Sequence, residues 1–119
     1  MPHIAVDYSA TLTDTFDRQG FAQALHPLVA KIADAQVSGC KTRFRPLDEI
    51  VISDGGTAEA MIHIQVALLD GRTPETKLEL STAVLALARE HTAATPGLTV
   101  HSSVEIRDLD RASYQRHSS

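Results

Sequence analysis

The chain has 119 residues, of which 43% are apolar and only 4% aromatic, and a formal net charge of −4. This length allows one core, built mainly from aliphatic side chains, and excludes a second domain. The negative charge argues against nucleic acid as the main partner, and no run of about 18 apolar residues could span a membrane.

The N-terminal third predicts a strand followed by a helix. Residues 2–8 alternate, with Ile4 and Val6 on one face, so we expect a short strand there. Apolar residues then recur at helical spacing over 21–32, which indicates an amphipathic helix. We expect Pro27 to kink or break this helix because proline removes a backbone donor.

The middle of the chain predicts two long strands. Residues 41–53 form the first, with a bulge expected at Pro46, and residues 58–69 form the next. Residues 54–56 (DGG) are a strong turn pattern between them. We therefore expect the two strands to pair as a hairpin.

The last part predicts a second helix and a fourth strand. Thr73 is a suitable N-cap, and Pro74 suits the first helical position. Residues 98–107 alternate and predict a strand. We expect residues 1–109 to form the single domain, and residues 110–119 a polar tail that is flexible or reaches another subunit.

This order predicts an α+β fold made of a duplicated βαβ unit. Right-handed crossovers would place both helices on one face of a four-stranded sheet. The other face would stay uncovered, which in so small a domain favours association of several copies.

Three cations, Lys41, Arg43 and Arg45, alternate along the second predicted strand and therefore share one face. Such like charges repel each other unless an anion lies among them. One interpretation is a solvated face neutralised by Asp48 or Glu49. The other is an anion site, since the planar fork of arginine fits a carboxylate.

Arg72 precedes the second helix, in residues 71–75 (GRTPE). A cation at a helix N-terminus opposes the helix dipole, so its position needs another benefit. That benefit is either a substrate carboxylate shared with the free amides of the helix or an intersubunit salt bridge.

The six histidines and Cys40 do not predict a metal site, because no HxH, HxxxH or HExxH spacing occurs and there is no second cysteine. We expect His63 to be a satisfied strand histidine in the core or at a subunit contact, and Cys40 to be a small buried hydrophobe. The single cysteine cannot form an internal disulfide, and the first residues lack a basic segment, which together favour the cytoplasm.

Pro2 directly follows Met1. Removal of Met1 would leave Pro2 with a free secondary amine, a compact and rigid base, whereas every other proline nitrogen in the chain is a tertiary amide. The alternative is that Met-Pro is simply a common start of a chain.

The order and spacing of several segments resemble the 5-carboxymethyl-2-hydroxymuconate delta-isomerases, a branch of the tautomerase superfamily. The resemblance covers nearly all of residues 1–109. The segments are residues 1–12 (MPHIAVDYSATL), 39–43 (GCKTR), 53–55 (SDG), His63, 71–77 (GRTPETK) and 104–109 (VEIRDL).

The resemblance implies a tautomerase-like homotrimer that isomerises an unsaturated dicarboxylate or tricarboxylate in aromatic-acid catabolism. Pro2 would be the catalytic acid and base, without a metal or organic cofactor. Arg72 would bind substrate and stabilise the dienolate, and Lys41 would bind substrate. The anion-site interpretation of the alternating cations adds Arg43 to the expected substrate-binding residues. The family usually has arginine in place of Lys41, and lysine lacks the bidentate fork.

Two alternatives stay open. One is a tautomerase that acts on a different unsaturated acid. The other is a non-catalytic trimeric protein that binds a small acid.

Overall fold

The computed structural model describes residues 1–119 and has four strands and two α-helices. The strands are β1 His3–Ser9, β2 Lys41–Leu47, β3 Glu59–Leu69 and β4 Thr99–Leu109. The α-helices are α1 Arg18–Ala33 and α2 Pro74–Glu90. Short 3-10 helices, Ala10–Leu12 and Val37–Gly39, precede α1 and β2 respectively. The predicted α+β architecture, with its duplicated βαβ order, is confirmed.

The sheet has the order β2-β1-β3-β4, with β1–β2 and β3–β4 parallel and β1–β3 antiparallel. The predicted hairpin between the second and third strands is therefore wrong, because β1 lies between them. The second strand also ends at Leu47, and residues 48–58 form a loop instead. This loop does contain a turn, because the Gly55 amide donates to the Ile52 carbonyl. The turn does not connect two paired strands.

Both helices begin at side-chain caps. The Asp17 carboxylate accepts from the Gly20 amide at the start of α1, and Thr73 accepts from the Thr76 amide at the start of α2, as predicted. The break expected at Pro27 does not occur, because α1 continues through it to Ala33. Pro27 lies on the exposed side of the helix, where water can satisfy the carbonyl that loses its partner.

One hydrophobic core joins the sheet to both helices. Alternate strand residues point toward the helices, and most of them are fully buried. Each fully buried valine, leucine or isoleucine contributes about 1.5–3 kcal/mol of transfer free energy. The fully buried members from the inner strands and the helices include Ile4, Val6, Ile62, Ile64, Val66, Phe21, Leu25, Val29, Leu80 and Val84.

The opposite face of the sheet has no helix over it and is polar. In the register of β1 with β2, Lys41 is paired with His3, and Arg45 is paired with Asp7. On β3, the strand on the other side of β1, His63 is paired with Asp7. Lys41, Arg43 and Arg45 share this face, as predicted from their spacing. We call it the open face. Neither helix combines the length and apolar composition needed to cross a membrane.

Candidate active site at the N-terminus

The N-terminus lies in a cleft of about 500 Å³ at one end of the sheet. Pro2 is fully buried just before β1, and its carbonyl accepts from the Lys41 amide at 3.1 Å. The Met1 amine donates to the Gly39 carbonyl at 2.8 Å. The cleft is lined by the turn before β2, the end of β3 and the C-terminal tail, namely Met1, Gln36, Ser38, Gly39, Leu69, Tyr114, Gln115 and Arg116.

Gly39 permits the close approach of the N-terminal backbone. A Cβ at this position would lie 2.8 Å from the Met1 carbonyl oxygen and 3.1 Å from the Met1 nitrogen. A contact between residues 1 and 39 leaves no local pattern in the sequence, so it could not be predicted. Any side chain at residue 39 would fill space beside the N-terminus.

Two cations act on the N-terminal amine. The Lys41 ammonium also donates to the Gly39 carbonyl, at 3.4 Å, so both nitrogens share one acceptor. Burial, followed by the charges of Lys41 and Arg116, lowers the pKa of the Met1 amine below its ordinary value, while Cys40 acts in the opposite direction. The cleft therefore disfavours the protonated form of this amine relative to water.

His3 links the N-terminal strand to the C-terminal tail. Its Nε2 is hydrogen-bonded to the Tyr114 hydroxyl at 2.8 Å, and the two rings pack edge to face. Burial lowers the pKa of His3, with further lowering by the charges of the N-terminus, Lys41 and Arg43. No local sequence pattern indicates that residues 3 and 114 meet, so the sequence alone makes neither His3 nor Tyr114 a candidate.

The tail beyond β4 is folded against the domain. Asp110 organises a turn, since its carbonyl accepts from the Ser113 and Tyr114 amides and its carboxylate from the Ser113 hydroxyl. Arg111 donates to the Asp70 carbonyl at 2.8 Å. The only sequence pattern that could have indicated this turn is the Asp110–Ser113 spacing, which suits a side-chain-capped turn.

Arg72 does not line the N-terminal cleft. Its Nε and Nη2 donate to the Ala33 carbonyl at 3.0 and 2.8 Å, and its Nη1 donates to the Leu69 carbonyl at 3.0 Å. These bonds clamp the end of α1 to the end of β3. Of the five N–H donors of a guanidinium, two remain free for a carboxylate. The assignment of Arg72 to substrate stays a prediction.

The three cations of β2 have different surroundings. Arg45 forms a two-pronged ion pair with Asp7, which raises the pKa of Arg45, so the neutralising carboxylate is Asp7 rather than Asp48 or Glu49. The Arg43 side chain is exposed and makes no hydrogen bond or ion pair. Lys41 and Arg43 are therefore the members of the row available to an anion.

Cys40 and His63, the remaining residues considered in the sequence analysis, lie in surroundings that indicate structural roles. Cys40 is buried, as expected, and burial raises the pKa of its thiol, which makes it a poor nucleophile. His63 lies on the open face rather than in the core, with Ser103 at 2.7 Å and Glu105 at 3.7 Å. No group of three or more His, Cys, Asp or Glu side chains is arranged to hold a metal.

Comparisons with known proteins agree with this architecture. A solved 5-carboxymethyl-2-hydroxymuconate isomerase from Deinococcus radiodurans R1 superposes with a TM-score of 0.86 at 24% identity, over 99% of this chain and 90% of that chain. A 5-carboxymethyl-2-hydroxymuconate delta-isomerase gives 0.82 at 18%, over 100% and 89%. A fused 4-OT wild type symmetric trimer gives 0.74 at 19%, over 92% and 87%.

These identities are low, so the superpositions show the tautomerase fold and no more. No curated protein matches the chain by sequence. The sequence model of the 5-carboxymethyl-2-hydroxymuconate isomerases, however, matches residues 2–119, from the buried proline through the folded tail. The chain therefore belongs to the 5-carboxymethyl-2-hydroxymuconate isomerase family.

Proposed function

We propose that the chain, once Met1 is removed, is a cofactor-independent isomerase with the Pro2 amine as acid and base. Its substrate is an unsaturated hydroxy or keto carboxylic acid of the 5-carboxymethyl-2-hydroxymuconate type. The observation that carries the proposal is the family match over residues 2–119. Its first residue, Pro2, is buried directly behind Met1, which lines a cleft together with Arg116.

The reaction requires one group that takes a proton and returns it elsewhere. The neutral Pro2 nitrogen accepts a proton from the substrate, which leaves a dienolate, and the resulting ammonium returns that proton to another carbon. Atoms and charge balance without an oxidant or a metal. Cations near the dienolate stabilise the charge that develops on its oxygen.

The surroundings of the N-terminus support the first step. A base must be neutral to accept a proton, and a secondary amine in water is mostly protonated at neutral pH. Burial and the charges of Lys41 and Arg116 already lower the pKa of the Met1 amine. Removal of Met1 would place the free Pro2 nitrogen next to the same cations, and these charges would disfavour its protonated form.

Substrate carboxylates need cationic partners. Lys41 is beside the N-terminus, and Arg43 follows it on the open face with its donors unused. Arg72 offers two free N–H donors in a cleft of its own. We propose that Lys41 and Arg43 bind carboxylates near Pro2, and that Arg72 contributes from an adjoining subunit.

That arrangement rests on a homotrimer. The open face has no covering element within the chain, and the fused 4-OT symmetric trimer has a similar fold. Packing of three such faces would bury the polar strands around a common centre and bring the ends of neighbouring chains together.

The direct test is turnover of a panel of unsaturated acids by the processed protein. With 5-carboxymethyl-2-hydroxymuconate as substrate, two signals would report proton transfer. One is a decrease in the absorbance of the dienol, and the other is incorporation of deuterium from D₂O into the product. The matched control carries an uncleaved N-terminal extension, which leaves every side chain unchanged but converts the Pro2 nitrogen to an amide. Equal turnover by both forms would refute the mechanism. Turnover of another acid alone would refute the substrate assignment.

A further inference from the structure

The C-terminal tail forms one wall of the N-terminal cleft. Tyr114, Gln115 and Arg116 line it opposite Gly39 and Leu69. The wall belongs to the same chain as the N-terminus, so it is present before any subunit contact forms.

The charge of the cleft is one-sided. None of its lining residues is an aspartate or glutamate, and Arg116 makes no ion pair or hydrogen bond in the structure. Lys41 adds a second positive charge at the Gly39 carbonyl. An unpaired guanidinium beside a second cation suits an anion, and its planar fork suits a carboxylate in particular.

The position of Arg116 is restrained by three successive contacts. Arg111 ties the start of the tail to Asp70, the Asp110 turn reverses the chain, and the Tyr114 hydroxyl is bonded to His3 on β1. Tyr114 is half-buried, whereas Arg116 two residues later is exposed at the cleft.

We infer that Arg116 determines specificity by binding a second carboxylate of the substrate, and that Tyr114 is a positioning residue that holds Arg116 at the cleft. This inference rests on the proposed function and extends it. It assigns the cleft to dicarboxylates and tricarboxylates over monocarboxylates, with the discriminating contact supplied by the tail.

The test measures binding apart from turnover. The dissociation constants of propane-1,2,3-tricarboxylate and of butyrate are compared by calorimetry for the wild type, Arg116→Gln, Arg116→Lys and Arg89→Gln. Arg116→Gln removes a charged hydrogen bond to the second carboxylate, so the dissociation constant of the tricarboxylate should rise about 10–100-fold. The dissociation constant of butyrate should stay unchanged. Arg116→Lys should recover part of the loss. Arg89→Gln, at the exposed end of α2, should match the wild type.

A double-variant comparison tests the positioning role. Tyr114→Phe removes the hydroxyl that bonds to His3 and keeps the ring, so it should weaken tricarboxylate binding less than Arg116→Gln. If Tyr114 acts through Arg116, Tyr114→Phe combined with Arg116→Gln should bind no worse than Arg116→Gln alone. Additive losses would mean that Tyr114 only supports the fold, and would overturn its assignment.

The remaining outcomes separate the two proposals. Unchanged tricarboxylate binding in Arg116→Gln, or an equal loss for both ligands, would overturn the inference. If binding behaves as expected but the processed wild type isomerises no acid in the panel, the proposed function fails and the carboxylate site stands.

Discussion

Replacement of Arg72 by alanine should destabilise the fold. The side chain satisfies the carbonyl of Ala33, the last residue of α1, and that of Leu69, the last residue of β3. A carbonyl at a helix C-terminus has no partner within the helix, so the guanidinium acts as an external cap.

The magnitude follows from those bonds. A hydrogen bond from a charged donor contributes about 1.5–3 kcal/mol. Arg72 is only half-buried, and solvent screening reduces this value, so we expect a total loss of about 2–3 kcal/mol for the two acceptors. For a domain of this size, that loss corresponds to a Tm decrease of about 6–12 °C.

Thermal unfolding followed by circular dichroism measures the effect, at one protein concentration because the Tm of an oligomer depends on it. Arg89→Ala is the matched control and should stay within about 0.5 kcal/mol of the wild type. Arg72→Lys should be intermediate, since lysine cannot reach both carbonyls with a fork. If Arg72→Ala melts like Arg89→Ala and loses only kcat/KM, the clamp is not stabilising and Arg72 serves substrate alone.

Three further predictions concern assembly, substrate binding and pH. Sedimentation equilibrium should give roughly three times the 12.9 kDa chain mass, and a monomer at micromolar concentration would contradict the trimer. Lys41→Arg should leave KM for a hydroxymuconate unchanged or lower it, because the fork adds a second hydrogen bond; a large rise in KM would show that Lys41 has another role. His26 lies on α1, and burial lowers its pKa below the ordinary value of 6.5. The unfolded chain therefore binds more protons than the folded chain near this pH. The free energy of unfolding should fall as the pH drops through 6.5, until His26 is protonated in the folded state as well. Urea titrations should show a flatter pH dependence for His26→Gln, and an unchanged slope would contradict this assignment.

The elements themselves could be predicted because their patterns are local. The cap at Thr73 and the alternation around Ile4 are determined within a few residues, and both agree with the structure. The pairing of strands is not local. A turn at Gly55 is compatible with a hairpin or a loop, and only the insertion of β1 between its neighbours decides the outcome.

In the candidate site, too, the features with a local sequence pattern could be predicted, and the contacts between distant residues could not. Pro2 and the cations of β2 are visible as residue types at fixed spacing. The close approach at Gly39 and the Tyr114 contact with His3 join distant parts of the chain and have no local pattern. Arg72 stands out in the sequence because a cation at a helix N-terminus is unusual. Its acceptors, the Ala33 and Leu69 carbonyls, belong to other elements and leave no local pattern.

The most direct test of the account is the turnover of processed Pro2→Ala. The variant keeps a primary amine at the same place but loses the ring and the secondary amine. With intact mass confirming removal of Met1 in both proteins, kcat/KM for 5-carboxymethyl-2-hydroxymuconate should fall by about two to four orders of magnitude, the scale of general acid–base catalysis. Circular dichroism should show that the variant stays folded. Turnover equal to that of the processed wild type would contradict the central claim that Pro2 is the catalytic acid and base.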